Sequence, residues 1–172
     1  MICSPSRRLY RMSPRWVSGN DLRRVHCIMS LTFPPRPRSV LMCDFVGYIV
    51  PEIVKVRPVI VLVKHRYNRQ LVTVVPLSTT QPDRLGDHHH QLAVNPLPDK
   101  PHTSCWAKCD MVATVALARL DRYKVGVGRF VVPEVSMADF NAIRAGVASA
   151  LGLMDNGGVP KGICETAYPP RR

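Results

Sequence analysis

The sequence predicts a mainly β protein: a small, strongly bent β-barrel with one late helix packed at its end. Three observations carry this. Two runs dense in Val, Ile and Leu, Val56–Val63 and Leu71–Leu77, flank a polar turn around His65–Gln70, the composition of paired, buried strands. Further short apolar runs follow, bounded by Gly, Pro and Asp. Near the C-terminal end the period changes. Ser136 and Asp139 form a capping-box pattern, and Phe140, Ile143, Val147 and Leu151 recur at helical spacing, which predicts a helix of about four turns. Short strands and a single helix suit a bent sheet with the helix layered against it.

At 172 residues the chain is long enough for one domain with room for tails. Its net charge of +12 favours polyanionic partners or an acidic protein. The excess is uneven, since residues 1–28 hold six Arg against one Asp. Three organisational units follow: a basic, disordered extension over residues 1–37, a folded domain over 38–153, and a flexible tail over 154–172. The extension reads as a disordered tail, as an artefact preceding a true start at Met29, or as an Arg-rich transit peptide; the second reading is preferred. No apolar run approaches the ~20 residues that span a bilayer, so no membrane partner is expected. The six Cys show neither disulfide-like nor zinc-like spacing, and read as reduced thiols in a cytosolic protein.

Taken in order, Ser39–Phe45 (SVLMCDF) is the first strand of the domain and Gly47–Lys55 a loop or bulged connection. The hairpin follows. Pro58 and Pro76 lack an N–H, which places a strand start or edge at the first and a bulge or edge at the second. Gln81–Lys100 is a polar loop with a short strand near Gln91–Val94. Thr103–Asp110 and Met111–Val115 supply more strand, Ala118–Tyr123 a turn, and Val125–Val132 one further strand broken by Gly126 and Gly128. Gly152 and the pair Gly157–Gly158 end the helix.

Two features at the strand ends suggest chemistry. Arg57 directly precedes Pro58, and Ser78, Thr79 and Thr80 close the second strand. A permanent cation and a cluster of hydroxyls can together hold a phosphate, although an exposed strand-end arginine and a strand-terminating turn are the ordinary readings. His88, His89 and His90 invite a metal, yet consecutive residues on an extended chain alternate faces. No acidic or Cys partner stands at ligand spacing nearby. They read as a solvated loop, and no metal or cofactor is expected.

These residues resemble the MazF/PemK family of toxin endoribonucleases of type II toxin–antitoxin systems. The resemblance runs from about Arg38 to Leu151. It rests on the strand SVLMCDF, the spacing Glu52-x4-Arg57-Pro58, the run VIVLV, the strand VVPLSTT, and WAKCD ahead of Arg119–Leu120, all in the family's order. It implies the small SH3-like barrel with a C-terminal helix shared by MazF, PemK and CcdB, usually as a homodimer in the bacterial cytoplasm. It also implies metal-independent cleavage of single-stranded RNA, leaving a 2′,3′-cyclic phosphate and a 5′-hydroxyl. A cognate acidic antitoxin would cover the site.

Carried onto this chain, the resemblance makes Arg57 the phosphate stabiliser and a proton donor. Ser78 stands where the family usually has a Thr that bonds the scissile phosphate. Glu52 is a candidate base or RNA contact, and equally a solvated loop carboxylate. Asp110, after Lys108, matches an Arg-Cys-Asp triplet with acid and base roles; a salt-bridging strand end is the alternative. Thr79, Thr80, Lys108 and Lys55 complete the expected RNA contacts, and Trp106 reads as core or dimer interface, or as a stacking surface. Two departures stand out: the loop after the first strand lacks the family's Gly-rich segment, and Ala113 occupies a place where the family often has Arg. A gyrase-poisoning toxin on the same barrel and an inactive RNA-binding relic are the competing functions.

Overall fold

The computed structural model describes Leu31 and residues 33–154. Met29, the rest of residues 1–30 and residues 155–172, with Gly157 and Gly158, lie outside the described residues. Strands β1 (Val40–Cys43), β2 (Arg57–Lys64) and β3 (Leu71–Ser78) form an antiparallel meander. Both faces of this sheet are covered, which is why the strands read as continuous apolar runs. Leu41, Cys43, Val59, Val61, Val72 and Val74 point to one face, where they meet Phe45, Val115, Leu117 and Leu120. Val40, Ile60, Val75 and Leu77 point to the other and meet Phe140 and Ile143 of the helix. Each such side chain contributes about 1.5–3 kcal/mol by leaving water. Leu31, inside the expected extension, packs against the first of these cores.

The sheet bends back on itself through its third neighbour. β6 (Ala113–Ala116) pairs with β3 along Leu71–Val74, and a 3-10 turn at Leu117–Arg119 leads it directly into β7 (Leu120–Asp121). β7 pairs with β1 at the opposite edge. The first core therefore sits inside a small barrel, as the sequence predicts. Before β6, the same stretch of chain forms β5 (Trp106–Lys108), which pairs with the end of β3 and with β4 (His89–Gln91). Pro76 lies where β3 passes from β6 to β5: Val74 is opposite Ala113 and Leu77 opposite Ala107, with no partner at Pro76 on that side. Its missing N–H thus costs no ladder bond there.

Three expectations need correction. The short strand expected near Gln91–Val94 is β4, shifted to include His89 and His90, because β5 offers its pairing edge there. Those histidines are half-buried and do not form a solvated loop. The single strand expected over Val125–Val132 is a hairpin, β8 (Tyr123–Gly126) and β9 (Arg129–Val131). Gly128, at φ +66, supplies the left-handed residue that the reversal needs. Thr103–Asp110 contains only the three residues of β5, since a 3-10 turn at Cys109–Met111 interrupts the strand.

The helix α1 (Met137–Ala150) starts as the capping pattern predicts: Ser136 Oγ accepts the N–H of Asp139 at 3.0 Å. It stops at Gly152, φ +66. Phe140 and Ile143 are buried, whereas Leu151 falls beyond the last helical turn and stays exposed. Gly146 permits close contact with the sheet, since a Cβ there would lie 3.0 Å from Cys109 Sγ.

Candidate functional site

Val59, Ile60 and Val61 of β2 lie opposite Pro76, Val75 and Val74 of β3. Continuing that register by two residues brings Arg57, the first residue of β2, opposite Ser78, the last of β3. Paired residues share a face, and the parity set by Val59, Val61 and Val74 puts Arg57 and Ser78 on the barrel-core side, at its open end. Neighbouring strands run ~4.8 Å apart, so the two side chains can reach one phosphate. Arg57 is exposed and Ser78 half-buried. Ser78 Oγ accepts the N–H of Thr80 at 3.1 Å, which occupies an oxygen lone pair and leaves the hydroxyl proton free to donate. Thr79 and Thr80 are exposed beside it.

The same row continues across the sheet. Ser78 lies opposite Trp106, and Trp106 opposite Gln91. Trp106 is only 8% exposed, so its ring is packed and is not offered for stacking. One step along, Lys108 lies opposite His89, and Asp110 follows in the 3-10 turn. At ~3.3 Å per residue, the four residues from Trp106, the partner of Ser78, to Asp110 span at most ~13 Å, and Arg57 lies one strand further across. The expected site residues therefore fall into two groups on one face.

Asp110 has neighbours that sequence spacing does not show. His88, His89 and Asp110 each bring a potential ligand atom within 4.8 Å of the others. The expectation that no acidic group stands near the histidines fails because the β4–β5 pairing carries Asp110 across the intervening loop. Burial, and after it the neighbouring His88, hold His89 below the ordinary imidazole pKa. His90 faces the opposite side of β4 and pairs with Asp139 of α1 at 2.9 Å.

Glu52 and Lys55 lie in the loop between β1 and β2. Glu52 Oε2 accepts the N–H of Ile49 at 2.7 Å, so one carboxylate oxygen serves the loop and the other stays open. Glu52 also lines a cleft of about 170 Å³ with Phe45, Tyr48 and Ile53 on one wall and Met111, Val112 and Ala113 on the other. That cleft begins one residue after Asp110. Ala113, where a family arginine was expected, is part of its wall.

Arg119 holds this loop in place, a role the sequence reading missed. Its Nη1 donates to the carbonyls of Asp44 at 3.0 Å and Val46 at 2.9 Å, and its guanidinium lies 5.1 Å from the Tyr48 ring centroid. Planar, multidentate contacts of this kind are what arginine supplies and lysine does not. The only signal in the sequence was the Arg-Leu pair itself, more than 70 residues from the loop it clamps. Cys43, Cys105 and Cys109 are free and buried, and burial pushes the Cys43 and Cys109 thiols up to about 12 and Cys105 to about 11. They are not nucleophiles. Among the described residues, no helix is long and apolar enough to cross a membrane.

An endoribonuclease from a Mycobacterial species, solved in complex with its cognate antitoxin, shares 26% identity with this chain. The alignment covers 70% of this chain and 97% of that one, with a TM-score of 0.48. A crystal structure of MazF from Deinococcus radiodurans shares 16% identity over 69% of this chain and 96% of its own, with a TM-score of 0.53, a likeness of fold. No curated protein sequence matches. The model of one family, the PemK-like, MazF-like toxins, matches residues 36–151, which contain every strand and the helix described above. The chain belongs to the PemK-like, MazF-like toxins of type II toxin–antitoxin systems.

Proposed function

We propose that this toxin is a metal-independent endoribonuclease that cuts single-stranded RNA at the Arg57–Ser78 end of the sheet. What supports the reading is the register of β2 and β3, which, continued two residues past Val59 and Pro76, brings a guanidinium fork opposite a hydroxyl whose proton is free to donate. RNA cleavage by its own 2′-hydroxyl requires removal of that proton, stabilisation of the crowded phosphate, and protonation of the leaving 5′-oxygen. The 2′-oxygen bonds to phosphorus as the P–O5′ bond breaks, giving a 2′,3′-cyclic phosphate and a 5′-hydroxyl.

Arg57 binds two phosphate oxygens and offers a proton towards the leaving oxygen. Ser78 donates to one of the same two non-bridging oxygens, the role expected of the Thr it replaces. The open oxygen of Glu52 is the proposed base, held at the cleft by Ile49 and by the Arg119 clamp. Asp110, four residues along the chain from the partner of Ser78, is the alternative base for a substrate lying in the second group. Lys55, Lys108, Thr79 and Thr80 contact the backbone on either side. The basic rim also suits an acidic antitoxin segment, and a homodimer would place two such rims in one particle; growth inhibition follows from loss of mRNA.

The test is cleavage of a mixed-sequence single-stranded RNA in EDTA by the full chain and by Arg57→Ala. Products with 5′-hydroxyl ends from the parent alone are expected. Intact RNA from a folded parent would overturn the reading, as would equal cleavage by the variant.

A further inference from the structure

Beyond the Arg57–Ser78 end, the same sheet face carries His88 and His89, which the proposed chemistry leaves unused, beside Asp110, its alternative base. We infer that His88, His89 and Asp110 form a binding site for a divalent transition-metal ion of the Zn²⁺ class. This does not depend on the ribonuclease reading.

On a regular strand His88 and His89 would diverge, but His88 lies in the turn that leads into β4. Both rings therefore lie on one side, with centroids 4.1 Å apart and planes at 45°. The β4–β5 pairing, with His89 opposite Lys108, then delivers Asp110 to them. One potential ligand atom from each residue lies within 4.8 Å of the others. Ligands bound at ~2.0–2.2 Å around a tetrahedral ion sit about 3.3 Å apart. Side-chain rotations of about an ångström at each residue close the remaining gap.

The surroundings hold the ligands near this geometry. Gly86 N–H donates to His89 Nδ1 at 3.1 Å, so this nitrogen carries a lone pair and no proton, and a bound ion would compete with that donor for it. A side chain at residue 86 would collide with the ring, since a Cβ there would lie 2.8 Å from His88 Cε1. His90, on the opposite face, ties the strand to α1 through Asp139. Asp110 supplies the neutralising charge. Lys108 opposes a cation, but it is only half-buried and its ammonium can swing to solvent. Two imidazoles and one carboxylate favour zinc, cobalt or nickel over magnesium or calcium. They also leave a fourth position open to water or a phosphate oxygen.

The experiment strips the full chain with EDTA, removes the chelator, and titrates Co²⁺ by visible absorption and Zn²⁺ by calorimetry. The expected result is one ion per chain, with cobalt bands that show nitrogen and oxygen ligands and no thiolate charge transfer. His89→Gln and Asp110→Asn should weaken binding at least tenfold. Gly86→Ala, whose Cβ would press on the His88 ring at 2.8 Å from Cε1 and 3.1 Å from Nδ1, should weaken it on the order of tenfold. Absence of cobalt bands at millimolar metal, or a thiolate charge-transfer band, overturns the proposal from the parent spectrum alone, whether or not a variant folds. Unchanged affinity in a folded Asp110→Asn protein also overturns it. RNA cleavage in EDTA is a separate readout, so failure of either idea leaves the other standing.

Discussion

Replacing Asp139 with Asn should destabilise the fold near neutral pH and lose that effect in acid. Asp139 is 6% exposed, and its carboxylate joins three segments. Oδ1 pairs with His90 Nε2 at 2.9 Å and accepts the N–H of Ala93 at 3.2 Å, while Oδ2 accepts the Ser136 hydroxyl at 2.8 Å. Burial by itself would raise its pKa, but the hydrogen bonds from His90, Ser136 and Ala93 outweigh it and hold the carboxyl below its ordinary value. Asn keeps the shape and one acceptor oxygen. It turns an NH₂ towards Ser136 Oγ, which already accepts the Asp139 N–H, and it removes the charge that strengthens the remaining bonds. A hydrogen bond to a charged group is worth ~1.5–3 kcal/mol. Relief of carboxylate desolvation offsets part of this, leaving a net loss of about 2 kcal/mol, or roughly 8 °C in Tm for a domain of this size. Because the folded pKa is depressed, the stabilisation is present in full above the unfolded carboxylate pKa. It is lost as pH falls through the folded value. Urea unfolding of both proteins, stepped from neutral pH to below ~3, measures the gap. A gap absent at neutral pH, or one that stays constant throughout, would refute the assignment of the stabilisation to the ionised carboxylate.

Two further predictions concern the site. Ser78→Thr should cleave RNA within a few-fold of the parent, and Ser78→Ala should lose about 10²-fold in kcat, the usual cost of one transition-state donor; single-turnover cleavage in EDTA separates them. Arg119→Lys should release the loop between β1 and β2, since an ammonium lacks the flat guanidinium face that lies over Tyr48 while Nη1 reaches the Asp44 and Val46 carbonyls. Amide exchange at Val46 and Ile49 should quicken about tenfold while β2 and β3 stay protected.

Much of the fold was legible because its signals are local or periodic. The Val- and Ile-rich hairpin, the Ser136 cap and the helix stripe each declare themselves within a dozen residues. The errors lie where a partner decided the outcome. Nothing within Gln91–Val94 shows that β5 would capture His89 and His90 instead. Nor does Val125–Val132, though rich in valine, show that its glycines reverse the chain. Pro76 is the instructive case: its break in the pattern was visible, but its meaning, a strand changing neighbours, depends on residues 30 to 40 positions away.

The same division governs the site. Arg57 and Ser78 were legible as chemistry, but that they belong together is a statement about register, and a one-residue slip would turn one of them to the opposite face. Three buried pairs fix it: Val59 with Pro76, Ile60 with Val75, and Val61 with Val74. The irregularity between Val61 and Val63 lies beyond them, towards the hairpin turn, so it twists the far end of the strands and leaves the Arg57–Ser78 end aligned. Asp110 was also named from the sequence, but without the neighbours the fold gives it. His88 and His89 stand beside it, with the level of the Arg57–Ser78 pair four residues back along the strand. Whether Asp110 serves the RNA or a metal ion turns on that geometry, and the cobalt titration and the EDTA cleavage assay measure the two roles independently.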